Sequence, residues 1–333
     1  MRVFADWINE FESKIGFEYS SFDWIKKLPT HAFDIQCSFV KNGKHYVGRG
    51  TEENKDLAII KSTAEMLERF FLDQLKEADS SNGVAVHTDI KAAEISALCE
   101  LLERDSFFCH YLTKTPFKEI EISGFPASPL LQGILTLLRS HGAEIRIGQM
   151  RTDSQFSSVV CAIFGFSAEI PFGMTLGTSV KLTVAEALES AVIEAARSAI
   201  AYLLNPQLLT PEKDSNDNPT FSGPEDHLRV GLNIDYAIQF REVFFEHHLA
   251  QFESLGSEID FEKVSISSFK PELFEGSICM SPPIFMARAS SDYLINLFFG
   301  EFIPNESRLK RLSDFLRRPI SPHEINNAIH PFA

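Results

Sequence analysis

A phrase of five residues that contains two carboxylates and one guanidinium occurs twice in this sequence. Glu65-Met66-Leu67-Glu68-Arg69 recurs almost unchanged as Glu100-Leu101-Leu102-Glu103-Arg104. Each copy lies in an apolar stretch with helical periodicity, so its carboxylates stand beside residues that favour burial. Carboxylates are rarely retained near a core unless a cation neutralises them. The two phrases therefore predict a metal or phosphate site.

Polar residues recur at three- and four-residue spacings around both phrases and once more farther along the chain. This spacing places the members of each set on one stripe of a helix. The three sets are Ser62, Glu65, Glu68 and Arg69; Ser96, Glu100, Glu103 and Arg104; and Ser190, Glu194 and Arg197. Three such helices could converge on a single acidic pocket.

Mg²⁺ is the cation that suits clustered carboxylates, because it takes oxygen ligands from few side chains and completes its shell with water and phosphate. The arginines would pair with phosphate oxygens, which guanidinium groups match bidentately. An alternative interpretation stays open at this point. Glu-x-x-Glu-Arg is also ordinary helix-surface sequence, stabilised by pairs at helical spacing.

Composition excludes several classes of protein. The balance of 31 basic against 46 acidic residues gives a net charge of −15, which opposes non-specific nucleic-acid binding. The five cysteines are scattered and form no Cys-x-x-Cys pair, so neither a disulfide framework nor a zinc site is expected. No signal-peptide run and no membrane span of ~18 apolar residues is present, so we expect a cytoplasmic protein.

The elements that must position the carboxylates follow from periodicity and turn residues. The pattern predicts a mixed α/β fold in which long helices pack on a mixed or antiparallel sheet. Asn42-Gly43 predicts a hairpin, Asp89 predicts a helix N-cap, and Gly173 and Gly177 flank either a turn or a close backbone approach. Helices are expected at 5–15, 55–76, 89–112, 129–141 and 183–204, with two more beyond 225, and strands at 33–40, 44–48, 84–86, 144–147, 158–164, 264–266 and 284–289.

No linker separates two cores, so a single domain over residues 1–333 is expected. Residues 1–32 would form an N-terminal helical lead-in, and residues 206–225, rich in Pro, Asn, Asp and Ser, would form a surface loop.

Together these segments resemble the YcaO family of ATP-dependent enzymes that modify peptide backbones. The first two matching landmarks are Gly48-Arg49-Gly50 and Ser62-x-x-Glu65-x-x-Glu68-Arg69. The later ones are Ser81-Asn82-Gly83-Val84-Ala85, the helix to Glu100-Leu101-Leu102-Glu103-Arg104-Asp105, Ala187-Leu188 through Glu194 to Arg197-Ser198, Asp226-His227, Arg288-Ala289, Phe299-Gly300 and His330-Pro331-Phe332.

The resemblance implies that glutamates hold Mg²⁺ around ATP. Family members phosphorylate a peptide amide oxygen after attack by a nucleophile and then eliminate phosphate, which yields an azoline, a thioamide or an amidine. By this resemblance the residues that bind ATP and Mg²⁺ would be Ser62, Glu65, Glu68, Glu100, Glu103, Glu194 and Arg197, with Glu65, Glu68, Glu103 and Glu194 as the metal ligands. Arg69, Arg104 and Arg288 would be catalytic.

The chain departs from the family pattern at several positions. Ala92-Ala93 stands where the family usually has Glu-Ala, and Glu94 would project from a different face of the helix. His87 replaces a usual glycine, and Arg197 replaces a usual glutamine. The N-terminal stretch lacks an obvious match to the phosphate-binding lysine of some members. His330-Pro331-Phe332-Ala333 stands where azoline-forming members have a Pro-x-Pro-x-Pro tail.

The expected function is ATP- and Mg²⁺-dependent cyclodehydration of a ribosomally made precursor peptide, delivered by a separate leader-binding or activating partner protein. The chain itself could form a homodimer. Two alternatives remain: a YcaO-like scaffold or peptide-binding subunit that has lost ATP turnover, which Ala92 motivates, and a member that forms thioamides or amidines.

Overall fold

The computed structural model describes residues 16–74, 82–152, 154–166, 172–209, 223–245, 263–269 and 284–332. Within these ranges, the helices are α1 Lys55–Gln74, α2 Ile90–Thr113, α3 Pro129–Ser140, α4 Val184–Leu204, α5 Pro224–Leu232, α6 Ile234–Phe245 and α7 Glu306–Leu316. The strands are β1 Glu18–Ser21, β2 Phe33–Lys41, β3 Lys44–Glu52, β4 Val84–His87, β5 Lys118–Glu119, β6 Glu144–Met150, β7 Ser157–Phe164, β8 Met174–Lys181, β9 Ser265–Phe269 and β10 Phe285–Ser290. The predicted mixed α/β class is confirmed, with three antiparallel sheets among these strands.

The chain divides into two compact units. Unit 1 comprises Met1–Leu101 and Val264–Ser290, and unit 2 comprises Leu102–Lys263 and Ser291–Ala333. The boundary falls within α2, whose first half belongs to unit 1 and second half to unit 2. The single domain expected over residues 1–333 stays a prediction.

Unit 1 contains two three-stranded sheets, ordered β1-β2-β3 and β4-β10-β9. The predicted hairpin is present between β2 and β3, where Asn42 and Gly43 both have the positive φ that a type I′ turn requires. The described part of the predicted helical lead-in differs from expectation, because β1 pairs with β2 and only a short 3-10 helix at Asp23–Lys27 follows. The predicted helix at 5–15 lies outside the described residues.

Helix α1 packs against the β2–β3 hairpin through two glycines. A Cβ atom on Gly48 would lie 2.1 Å from the Ser62 carbonyl oxygen, and one on Gly50 would lie 2.1 Å from that of Ala58. Only glycine permits this approach, so the landmark Gly48-Arg49-Gly50 marks the contact of strand and helix. The adjoining core contains Phe39, Met66, Leu67, Phe70, Val84, Val86 and Met286.

Unit 2 contains one four-stranded sheet, ordered β5-β6-β7-β8. Sequence analysis missed β8, because Gly173 and Gly177 favoured a turn there. Gly177 lies inside the strand, where its Cβ would be 2.2 Å from the Ala191 carbonyl oxygen of α4. The alternative of a close backbone approach is therefore the correct one at Gly177.

The core of unit 2 is largely aromatic, and it includes Phe107, Phe108, Phe164, Phe240, Phe244, Phe315 and Phe332. A buried ion pair also lies in this unit, between Asp105 of α2 and Arg311 of α7. The Asp105 carboxylate accepts the Ile295 backbone N–H as well, at 2.9 Å. The buried Asp105 carboxylate is thus neutralised by Arg311 and also accepts a backbone hydrogen bond.

The predicted surface loop at 206–225 is described only at its ends. A 3-10 helix occupies Pro206–Leu209, and α5 begins at Pro224. Among the described residues that follow 223, three helices are present where two were expected, namely α5, α6 and α7. No helix in the described ranges is both long and apolar enough to cross a membrane.

Candidate functional site

In unit 1, Glu65 has both carboxylate oxygens engaged. Oε2 accepts the Arg49 backbone N–H at 2.9 Å, and Oε1 accepts Arg69 Nη2 at 2.7 Å. The Arg69 side chain is more than half exposed, so the ion pair itself contributes little stability. Arg69 therefore orients Glu65, and the two oxygens of this carboxylate are both engaged within unit 1.

Glu68 and Glu100 both bind the backbone of β4. Oε1 of Glu68 accepts the Val86 N–H at 3.0 Å, and Oε2 of Glu100 accepts the Val84 N–H at 3.0 Å. Burial, together with the nearby charges of Glu100 and Glu65, raises the pKa of Glu68 well above its ordinary value, against the opposing effects of Val86 N–H and Arg69. Unit 1 thus holds glutamates whose charges repel one another.

In unit 2, Thr178 of β8 binds two glutamates at once. Its backbone N–H donates to Glu194 Oε2 at 2.8 Å, and its hydroxyl donates to Glu103 Oε1 at 2.7 Å. Arg104 Nη1 also donates to Glu103 Oε1, at 3.0 Å. Burial raises the pKa of Glu194 to about 7, and the charge of Glu103 adds to this rise, while Arg104, the Thr178 N–H and Arg197 oppose it.

Edge strands supply the backbone donors for all four of these glutamate contacts. Strands β3, β4 and β8 each stand at the end of their sheet order among the described strands. An edge strand presents N–H groups with no partner strand, and here those of Arg49, Val84, Val86 and Thr178 are taken by carboxylates. In each unit, glutamates of a helix therefore bond to the edge of a sheet.

A spacing in the sequence marks three of these contacts. Arg49, Val84 and Thr178 each directly follow a glycine, and each donates to a glutamate that lies 16 residues later. The glycine-to-glutamate pairs are Gly48 with Glu65, Gly83 with Glu100 and Gly177 with Glu194. This recurrence was available in the sequence and would have located β8 and Thr178, both of which sequence analysis missed.

The remaining predicted site residues lie in different settings. Ser62 is fully buried, and its hydroxyl donates to the Ile59 carbonyl of its own helix at 2.9 Å. Ser62 thus belongs to the contact of α1 with Gly48. Arg288 of β10 lies opposite Val84, so both side chains point to one face of the sheet. No ion pair joins Arg288 to a carboxylate within the described ranges, and Arg197 acts on Glu194 electrostatically.

Ala92 lies in the first turn of α2, where no side chain replaces the expected glutamate. The predicted N-cap Asp89 is confirmed, because its Oδ1 accepts the Ala92 N–H at 2.8 Å. Glu94 hydrogen-bonds instead with Lys91 at 2.7 Å and with Ser268 of β9 at 2.9 Å. Both Glu94 oxygens are thus bonded, and Glu94 stands two residues after Ala92, a spacing that places it on a different face of the helix.

The segment His330–Phe332 is docked in unit 2 beside Glu194. The Arg104 guanidinium lies over the Phe332 ring, 4.4 Å from its centroid. Pro331 and Phe332 line, together with Glu194, a cavity of about 90 Å³. His330 is buried, and its carbonyl oxygen accepts from His227 Nδ1 at 2.8 Å. An apolar segment thus forms one wall next to the carboxylates of unit 2.

In each unit taken by itself, the glutamates fit Mg²⁺ that is shared with phosphate. Among the described residues, no hydrogen bond reaches Glu68 Oε2 in unit 1, and none reaches Glu103 Oε2 or Glu194 Oε1 in unit 2, so these oxygens are available to a cation. Among the residues described, no three His, Cys, Asp or Glu side chains form a ready metal cage. Mg²⁺ usually needs only one or two carboxylates beside phosphates and water. The residues present fit that mode and not an all-protein cage.

Comparison with known proteins identifies a family. The family profile described as YcaO cyclodehydratase, ATP- and Mg²⁺-binding, matches residues 69–256, which is more than half of the chain. No curated protein matches by sequence.

Solved structures share the fold at low identity. YcaO from Methanopyrus kandleri, bound with AMPPCP and Mg²⁺, is 14% identical with a TM-score of 0.58, over 95% of this chain and 93% of its own. A heterocyclase in complex with substrate and cofactor is 10% identical with a TM-score of 0.63, over 99% of this chain and 57% of its own. The E. coli microcin synthetase McbBCD complex with pro-MccB17 bound contains a chain that is 18% identical with a TM-score of 0.50, over 72% of this chain.

This chain covers 59% of the matched chain in the microcin synthetase structure with pro-MccB17 bound. It covers 64% of the matched chain in a second structure of the McbBCD complex. At such identities these likenesses show a common fold alone.

Proposed function

Since the chain belongs to the YcaO cyclodehydratase family, we propose that it is an ATP- and Mg²⁺-dependent enzyme that activates backbone amides of a ribosomally made precursor peptide. Cyclodehydration of Cys, Ser or Thr to an azoline is the proposed reaction. A separate leader-binding or activating protein would present the peptide, and ATP and Mg²⁺ are the proposed co-substrate and cofactor.

The observation that carries this proposal is the pair Glu103 and Glu194 with Arg104 beside it. Each carboxylate retains one oxygen for a cation, and burial keeps the pKa of Glu194 near neutrality until a positive charge arrives. Two close carboxylates without a cation repel each other, so the arrangement favours binding of Mg²⁺. Glu65, Glu68 and Glu100 of unit 1 are proposed to act in the same way, whereas their convergence with Glu194 on one pocket stays a prediction.

Mg²⁺, when bound, would withdraw charge from the transferring phosphoryl group. The residues of the chain would bind the cation and position the phosphate groups. Glutamates would hold the cation through the oxygens that remain open, and Arg104 would keep Glu103 in place through their bond at 3.0 Å. Arg69 and Arg288 are proposed to face phosphate oxygens, for which Arg69 must first leave Glu65.

Calorimetric titration of the full chain with Mg-ATP tests the proposal. We expect saturable binding that requires Mg²⁺ and that falls by at least about tenfold, or about 1.4 kcal/mol, in Glu68→Gln and in Glu103→Gln. Glutamine can still accept the Val86 N–H or the Thr178 hydroxyl, so these variants remove charge while keeping the structural bonds.

Glu94→Gln is the matched control, because Glu94 lies on the same helix as Glu103 but bonds to Lys91 and Ser268. Its binding should equal that of the unmodified chain. A chain that binds no Mg-ATP, alone or with a partner, would exclude the enzyme.

A scaffold or peptide-binding subunit without ATP turnover is the second candidate, and Ala92 is the observation that favours it. An expected carboxylate is missing there, and Glu94 is held elsewhere. Phosphate release in the presence of a precursor peptide and its partner protein separates the two candidates. Binding of Mg-ATP without any release of phosphate would favour the scaffold.

Mass spectrometry of the treated peptide identifies the nucleophile. Loss of one water for each modified residue indicates an azoline, whereas replacement of oxygen by sulfur indicates a thioamide. An amidine requires incorporation of an amine nitrogen. The second and third results would correct the proposed reaction without changing the proposed activation of the amide.

A further inference from the structure

Thr178 joins two glutamates that stand on different helices of unit 2. Glu103 belongs to α2 and Glu194 to α4, and no hydrogen bond can form directly between two ionised carboxylates. The Thr178 residue contacts both, through its hydroxyl at 2.7 Å and its N–H at 2.8 Å. One residue of the edge strand is therefore bonded to both carboxylates.

The local geometry explains how a single residue reaches both helices. The preceding Gly177 presses against α4, so the side chain of Thr178, next along the strand, points to the opposite face of the sheet. Its N–H lies in the plane of the sheet and projects from the edge towards Glu194. Thr178 is only 3% exposed, so water competes weakly for either bond.

Each of the two Thr178 bonds uses one oxygen of a carboxylate and leaves the other oxygen of that carboxylate available. Thr178 binds Glu103 Oε1 and Glu194 Oε2, while Glu103 Oε2 and Glu194 Oε1 accept nothing from the described residues. We propose that Thr178 is a positioning residue that holds these two carboxylates at the spacing at which they share one Mg²⁺. This inference rests on the proposed function of the site.

Three variants separate positioning from general stability. Thr178→Val removes the hydroxyl while keeping the shape and the backbone N–H, and Thr178→Ser restores the hydroxyl. Thr175→Val is the matched control, because the buried Thr175 on the same strand donates its hydroxyl to the Ala195 carbonyl of α4 at 2.9 Å. It loses an equivalent strand-to-helix bond whose acceptor is a backbone carbonyl and not a carboxylate.

Calorimetry with Mg²⁺ and AMPPCP, together with melting of the unliganded chain, provides the readouts. Loss of a residue that orients a metal ligand typically weakens metal affinity about 10- to 100-fold. We expect Thr178→Val to need at least about tenfold more Mg²⁺ for half-maximal AMPPCP binding. For Thr178→Ser, the Mg²⁺ concentration for half-maximal binding should lie within about twofold of that for the unmodified chain. Thr175→Val should lower the melting temperature as Thr178→Val does, but its Mg²⁺ requirement should equal that of the unmodified chain.

Two outcomes would overturn the inference while the proposed function survives. In both, the unmodified chain binds Mg-AMPPCP. In the first, the Thr178→Val variant has the same Mg²⁺ requirement as the unmodified chain. In the second, the Thr175→Val variant weakens binding as much as Thr178→Val does. If the unmodified chain binds no Mg-AMPPCP, the proposed function and the role of Thr178 fail together.

Discussion

Each glutamate in the two carboxylate groups has a structural bond as well as a charge. Glu65, Glu68, Glu100 and Glu194 accept backbone N–H groups, and Glu103 accepts the Thr178 hydroxyl. Truncation to alanine therefore removes an acceptor from a buried donor and destabilises the fold for reasons unrelated to a metal. Glutamine substitutions are the informative ones at these positions.

The raised pKa of Glu194 makes stability depend on pH in the absence of a cation. Its folded-state pKa of about 7 exceeds the ordinary 4.5, so the folded chain retains a proton that the unfolded chain has lost between those values. Stability should therefore fall as pH rises through this window. The glutamine of the Glu194→Gln variant cannot ionise. At pH 8 we therefore expect the variant to have an unfolding free energy about 1–3 kcal/mol larger than that of the unmodified chain, and a higher melting temperature.

Melting curves from pH 5 to pH 8 without divalent cations measure this effect. The two proteins should differ least at pH 5, where Glu194 is protonated in the folded state. A difference that stays constant over the whole range would contradict the prediction.

At the scale of elements, two strand-helix contacts are built in the same way. A Cβ on Gly48 would meet Ser62 and Met66 of α1, and one on Gly177 would meet Ala191 and Ala195 of α4, so the spacing along the chain is equal in the two units. Each close approach brings the following N–H to a glutamate of the helix. The third glycine, Gly83, differs because it has φ +69 and lies against the Ala289 carbonyl.

Gly177→Ala should separate β8 from α4. The new methyl would lie 2.2 Å from the Ala191 carbonyl and 2.5 Å from the Ala195 nitrogen, both of which are backbone atoms that cannot rotate away. We expect a loss of about 1–3 kcal/mol in unfolding free energy, together with weaker Mg-ATP binding because the Thr178 N–H moves from Glu194.

Urea denaturation and calorimetry on the same samples check both effects. Gly124→Ala is the control, since a Cβ there has no atom within 4 Å. It should change stability by no more than about 0.5 kcal/mol. A Gly177→Ala variant as stable as Gly124→Ala would show that the strand can shift freely.

At the scale of the whole molecule, unit 1 and unit 2 each have a core and each has its own group of carboxylates. In unit 2 the aromatic core surrounds a charge, because the Asp105 carboxylate accepts Arg311 Nε and Nη2 on α7. Both side chains are 2% exposed. The helix α7 is therefore held in this unit by a buried ion pair as well as by apolar side chains such as Phe315.

Arg311→Met should leave Asp105 buried without its guanidinium partner. Removal of one member of a buried pair typically costs about 3–5 kcal/mol. Lys310→Met tests the neighbouring exposed pair, in which Lys310 Nζ lies 3.1 Å from Asp314, and it should cost about 1 kcal/mol or less. Chemical denaturation of both variants gives the comparison, and equal stability would mean that the buried pair contributes no more than the exposed one.

Much of the local structure could be predicted from the sequence because its causes are local. The turn at Asn42-Gly43 follows from residues that tolerate positive φ, and Asp89 caps the helix that it directly precedes. The long helices follow from apolar periodicity. Strand β8 was missed since Gly177 resembles a turn residue until α4 is placed against it.

The sequence by itself determined that this chain carries paired glutamates and arginines on long helices, in an order that resembles one family. Only the tertiary structure decided which backbone N–H or hydroxyl group of a strand each glutamate accepts. Those bonds join a residue of a strand to a glutamate of a helix at least 16 positions away, and 75 positions away for Thr178 and Glu103. Such pairs meet only when helices cover the edges of sheets, and no periodicity within a helix encodes that meeting.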